Sequence, residues 1–179
     1  RIKLMYKIHL RKGFSAVRNR LETMMVNLSD FAERTISARE YAESLDDKNK
    51  DLVMGMYNEY KLHPESLEEL KTLLEGCTLV IMSAAWCKDC KNALPVLMHL
   101  DEMLGVKMFF FTEIKTAPLD PDHHWKIPPS PPEMEEWGVT AIPWIEIFNS
   151  EGKRLGTIIE KPTVKPTLEE ELVHVLKHK

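Results

Sequence analysis

Two periodicities divide the chain. From Leu28 to Glu75 the apolar positions follow helical spacing, with little strand character. Ser37-Ala38-Arg39-Glu40 reads as a capping box, the Ser at the N-cap and the Glu three residues on. Tyr41, Leu45, Leu52, Met56 and Tyr60 follow at a spacing that suits one or two amphipathic helices. Pro64 suits a first helical turn, and Leu67, Leu70, Leu73 and Leu74 form one apolar face up to the stop at Gly76.

After Gly76 the pattern changes to short apolar runs separated by helices and turns. Cys77–Met82 is a run of the kind that makes a buried parallel strand. Ser83–Cys87 reads as a loop, Lys88–Leu104 as a helix ended by Gly105, and Val106–Thr112 as a second buried strand. Ala117–Pro132 holds six of the eleven prolines and reads as one long loop. Glu133–Trp137 suits a short helix and Trp144–Phe148 a third strand. Asn149–Gly152 is a turn that opens a hairpin with Leu155–Ile159. Thr167 with Glu170 is a second capping box, starting a final helix to about His178.

Strands alternating with helices, closed by a hairpin and a helix, predict an α/β fold. It has a central mixed sheet with helices on both faces, plus the N-terminal helices. Three regions are expected: a basic N-terminal arm or leader over 1–36, a helical extension over 37–76, and an α/β domain over 77–179. An extension of about 40 residues without disulfide or metal is near the lower limit for standing alone, so it is expected to pack on the domain that follows.

Composition narrows the function. Hydrophobic residues at 44% and charged residues at 29% are a globular balance and argue against a disordered chain. The longest apolar stretches, Leu79–Met82 and Met108–Phe111, fall far short of the ~20 residues that span a bilayer, so no membrane is expected as partner. A net charge of −4 gives no reason to expect nucleic acid. The charge is uneven: Arg1–Met24 carries seven basic residues against the single acid Glu22, a net +6, which leaves −10 on the remainder. Those charges interrupt every apolar run a secretory signal needs, and the acid-poor bias fits a mitochondrial presequence better. The simplest expectation is a mobile or loosely docked arm without catalytic role.

Three cysteines are too few, and odd in number, for a disulfide-stapled scaffold. Two of them form Cys87-Lys88-Asp89-Cys90 at the predicted strand-to-helix junction. There the first sulfur meets the unpaired backbone N–H groups and the positive end of the helix dipole, both of which favour thiolate. The second sulfur, across the first turn, is close enough to close a small ring. Cys87 is then the attacker and Cys90 the resolver. Half a zinc site has the same spacing, but it needs two more ligands. Cys77 lies at the far end of a strand, His99 far along the helix, and the adjacent His123 and His124 normally point apart. No metal is expected.

Trp86-Cys87-Lys88-Asp89-Cys90-Lys91 resembles the active-site motif of the thioredoxin superfamily, W-C-x-x-C-K. Pro95 matches the proline that kinks the active-site helix in many members. Val139-Thr140-Ala141-Ile142-Pro143 resembles the segment carrying the superfamily's cis-proline, and Gly152 and Gly156 recur in the terminal hairpin. The similarity covers about Thr78–Lys179. The helices before it are similar to a bacterial and archaeal branch with added N-terminal helices. The resemblance implies a thioredoxin-like three-layer fold, with Trp86, Ile142 and Pro143 binding substrate around the sulfurs. Cis Pro143 leaves the neighbouring Ile142 backbone to pair with a substrate strand. Trp144 stands where a smaller residue is usual, and either narrows the groove or points into the core.

Two departures bear on chemistry. Lys88 and Asp89 replace the common Gly-Pro pair; Lys88 favours a nearby thiolate and Asp89 opposes it, so the sign of their joint effect on Cys87 is open. The acid that thioredoxins commonly bury six residues before the first cysteine is here Ile81, leaving Glu113, Asp89 or water as proton acceptor for Cys90.

The resulting expectation is a cytoplasmic thiol–disulfide oxidoreductase without bound cofactor. Its substrates are disulfides of proteins or small thiols, and a separate reductase supplies electrons. The alternative is a redox-silent thioredoxin-fold module that binds a partner protein. Fast, pH-dependent alkylation of Cys87 that mild oxidation abolishes separates the first from the second.

Overall fold

Ser37 begins the first helix as the pattern predicts. Its backbone N–H donates to Glu40 Oε2 at 2.7 Å, and Glu40 N–H donates back to Ser37 Oγ at 3.2 Å. The computed structural model describes residues 25–120, 124–125 and 127–178. Helix α1 (Ala38–Ser44) breaks at Leu45, and Asp46 caps helix α2 (Asp47–Glu59) by accepting from Asn49 N–H at 2.9 Å. The Tyr41–Tyr60 stretch is therefore two helices. Pro64 opens α3 (Pro64–Leu73), where its missing N–H costs no hydrogen bond. Strand β1 (Thr78–Met82) leads to helix α4 (Lys88–Leu104), then β2 (Lys107–Phe111), the short α5 (Glu133–Glu136), β3 (Trp144–Phe148), β4 (Arg154–Ile159) and α6 (Leu168–Lys177).

The sheet runs β2-β1-β3-β4, with β1 parallel to β2 and the other pairs antiparallel. Alternation along the strands makes two cores. Leu79 and Ile81, Met108 and Phe110, and Ile145 and Ile147 face a layer of helices that joins α1–α4 with α6 in one continuous core. Val80 and Met82, Phe109 and Phe111, and Trp144 and Phe148 face the other way. That second face is covered by α5, by Trp137 and by the chain before α1.

The expectation of helix from Leu28 onward is corrected here. Leu28–Phe31 is a single 3-10 turn followed by a further turn through Arg34, and Ile36 is extended. The tertiary surroundings outweigh the local pattern. Phe31 makes edge contacts with Phe109, Phe111 and Trp137, with ring centres 5.9–6.2 Å apart. Val26 N–H donates to Gly152 O at 3.0 Å, and Ile36 exchanges two backbone hydrogen bonds with Phe110. Residues 25–36 thus strap the sheet from the hairpin turn to the edge of β2. The basic segment Arg1–Met24 lies outside the described residues. Among the described residues no helix is long and apolar enough to cross a membrane.

Candidate active site

The end of β1 and the start of α4 carry the two sulfurs. Cys87 is the N-cap of α4, with an extended backbone (φ −84°, ψ 122°), so its side chain folds back over the first turn. Cys90 N–H donates to Cys87 Sγ at 3.2 Å, an orphan helix donor satisfied by sulfur. Cys87 is 9% exposed and Cys90 1%, so the first sulfur is the more accessible of the two. Neither is joined in a disulfide.

The environment drives the two thiols apart. Cys87 is lowered to about 7: the Cys90 thiol donating toward its sulfur is the largest cause, burial opposes, and the backbone N–H groups of Cys90 and Asp89 help. The Asp89 carboxylate pushes the other way, and the exposed Lys88 supplies none of the main effects. Cys90 is raised well above the ordinary thiol range, by burial first and then by the Cys87 sulfur. The Ala84 backbone N–H and the Ser83 hydroxyl pull it down.

Around the sulfurs stand the other residues of the motif. Trp86 is 55% exposed, and its indole N–H donates to Ile114 O at 3.0 Å, which pins the ring beside the loop after β2. The Ile142–Pro143 peptide is cis, and Cys87 Sγ donates to Ile142 O at 3.4 Å. That carbonyl is engaged in the reduced form. Pro143 O accepts from Glu160 N–H at 2.7 Å. Trp144 is buried, 5% exposed, and points into the core.

The indole of Trp144 donates to Glu146 Oε1 at 2.7 Å, and Glu146 Oε2 takes Arg154 Nε at 2.5 Å and Thr157 Oγ1 at 2.7 Å. Burial raises the Glu146 carboxyl, and the Arg154 guanidinium works against that rise. A lone acid within Trp144-Ile145-Glu146-Ile147-Phe148 is the sequence signal for this buried pair. Glu113 makes no hydrogen bond to either cysteine: it is exposed and lines a cavity of about 570 Å³ between Glu33–Ile36, the end of β2 and Pro129–Pro132. Ile81 is fully buried in the helix-side core. Ser83 and Tyr41 meet behind Cys90, where Ser83 Oγ donates to Tyr41 Oη at 3.1 Å. Nothing in their spacing, 42 residues apart, announces that contact.

The alternative of a metal site finds no cluster of three or more His, Cys, Asp or Glu among the described residues. Cys77 donates to Leu73 O at 3.5 Å, and His124 stacks on Trp125 with ring centres 4.8 Å apart. Asp122 and His123 lie outside the described residues.

A mixed four-stranded sheet, a cysteine pair at the mouth of the first crossover helix and a proline loop opposite it define a thioredoxin-like protein. A thioredoxin family model matches residues 35–172, and the chain belongs to that family. Its fold is similar to that of a Pseudomonas aeruginosa protein of unknown function, at a TM-score of 0.62 and 14% identity over 86% of this chain and 94% of that one. An HIV epitope scaffold is similar at 0.62 and 13% identity, over 85% and 94%. No curated protein matches the chain.

Proposed function

We propose that the protein is a thiol–disulfide oxidoreductase in which Cys87 attacks and Cys90 resolves. The observation that carries the reading is the placement of two thiols one helical turn apart, Cys87 at the N-cap with its sulfur accepting Cys90 N–H at 3.2 Å and Cys90 buried behind it, an arrangement that lowers the outer thiol and raises the inner one. A thiol ionised near neutrality is the nucleophile, and a buried protonated neighbour waits until the mixed disulfide forms. The Cys87 thiolate attacks a substrate disulfide and releases one substrate thiol. The Cys90 sulfur then attacks Cys87 Sγ, the bond to substrate breaks, and a second thiol departs, leaving Cys87–Cys90 oxidised. A separate reductase returns two electrons. The substrate is a protein or small-molecule disulfide, held against exposed Trp86 and the Ile142–Pro143 loop, and the proposed setting is the cytoplasm. No bound cofactor takes part.

The test is Cys90→Ser, which removes the resolver. It is expected to trap mixed disulfides on Cys87 that reductant releases, whereas Cys87→Ser traps none. Equal trapping by Cys87→Ser reverses the roles. Slow labelling of Cys87, with the pH profile of an ordinary thiol near about 8.5, assigns the chain to the redox-silent binding class instead.

A further inference from the structure

Behind Cys90 stands a short row of buried hydroxyls that the reaction above leaves unused. Resolution requires the Cys90 thiol to lose its proton at a position 1% exposed, where burial and the Cys87 sulfur both resist the charge. No carboxylate is hydrogen-bonded to it among the described residues. Ser83, directly after β1, is anchored by its backbone N–H on Phe111 O at 2.8 Å. Its hydroxyl acts on the Cys90 sulfur on one side and on Tyr41 Oη on the other. Ser83 and Tyr41 are each 1% exposed. Tyr41 belongs to α1, outside the strand–helix unit bearing the cysteines; its ring lies 5.6 Å from that of Phe110.

A hydroxyl can donate one hydrogen bond and accept others, and its hydrogen turns freely. With Cys90 protonated, the row runs from Ser83 to Tyr41. With Cys90 ionised it can run backwards: Tyr41 donates to Ser83, and Ser83 donates to the sulfur. The negative charge then meets a donor without movement of a heavy atom.

We propose that Tyr41 and Ser83 are positioning residues of the resolving step, a reversible hydroxyl row that stabilises the Cys90 thiolate as the mixed disulfide breaks. This rests on the oxidoreductase reading. In the step the Cys90 S–H bond gives its proton to solvent, the Cys90–Cys87 bond forms and the Cys87–substrate bond breaks. The departing sulfur takes the electron pair and then a proton, so no further oxidant or reductant enters.

The groups that act on Cys90 are Cys87, the Ala84 N–H and Ser83; those that act on Tyr41 are Ser83, Cys90 and Cys87. Asp89 acts on Cys87 from the same helix. Lys91 is held by Asn49 of α2 at 2.7 Å, and Glu146 of β3 by Arg154.

The experiment loads Cys87 with a 5-thio-2-nitrobenzoate group in the full chain. Release of the coloured thiolate by Cys90 is followed from mildly acidic to alkaline pH. Tyr41→Phe is expected to slow release about tenfold at neutral pH and to move the half-maximal rate to higher pH, the cost of losing a hydrogen bond that supports a charged group. Ser83→Ala is expected to slow it further. Backbone hydrogen exchange of β1 and α4 stays at the wild-type level in Tyr41→Phe, which a general loosening of the site does not allow. Should Tyr41→Phe fail to fold, Ser83→Ala carries the same readout. Wild-type release with unaltered rates and pH profiles in both variants overturns the row alone. No release from the wild-type protein overturns the oxidoreductase reading, and the row with it.

Discussion

Replacing Cys90 by Ala removes the largest influence on Cys87 while leaving the backbone N–H at 3.2 Å in place. The wild-type thiol, at about 7, is half ionised at neutral pH. Losing the Cys90 S–H donor is expected to raise it toward the ordinary thiol value of about 8.5. A rise of about one pH unit reduces the thiolate fraction at pH 7 from about one half to about one tenth. The more basic thiolate is also the better nucleophile, by about threefold for each tenfold in basicity. The two effects combine to make the variant about twofold slower at neutral pH and about threefold faster at alkaline pH, where both proteins are fully ionised. The rate profiles must therefore cross. The assay is the rate constant for alkylation of Cys87 by iodoacetamide, read by mass spectrometry of its peptide across pH. Crossing distinguishes lost hydrogen bonding from a loosened site, which speeds the reaction at every pH. A midpoint equal to or below the wild-type value refutes the part given to the Cys90 side chain.

Two further variants test the frame around the site. Gly152 has φ +80°, and a Cβ there meets Val26 O at 1.9 Å, so Gly152→Ala is expected to cost about 1–3 kcal/mol and to loosen the strap. Hydrogen exchange at Val26 and Ile36 reads this out, and unchanged protection contradicts it. Glu146→Ala leaves Arg154 without its carboxylate in a position only 13% exposed, and is expected to destabilise on the order of 3 kcal/mol in urea unfolding. A loss below about 1 kcal/mol contradicts the buried pair.

What the sequence made legible was whatever is set by local chemistry. Lys88–Leu104 carries its own start at Cys87 and its own stop at Gly105, which adopts φ +64°, and the helix has the expected bounds. The apolar runs become β1, β2 and β3 with ends moved by a residue at most, because a strand buried on both faces is marked by composition alone. The strap was misread as helix because its conformation depends on Phe31 finding three aromatic rings, and those lie more than 75 residues further along. Within the site the cysteine pair is readable from spacing. The Ser83–Tyr41 contact is not, since Tyr41 in the sequence is merely one apolar position of an amphipathic helix. Glu146 falls between these cases: its isolation in an apolar strand hints at a buried charge, but its partner Arg154 is selected by hairpin register.

The pairing of Ile36 with Phe110 reaches beyond the strap itself. The backbone groups of β2 that turn away from β1 would otherwise stand in a row at the boundary of the sheet, where another chain's strand can add itself. One residue, Ile36, lodged against Phe110 near the end of that row interrupts it. The molecule thereby discourages unplanned growth by edge-on stacking without spending a proline or a lysine on the strand's interior.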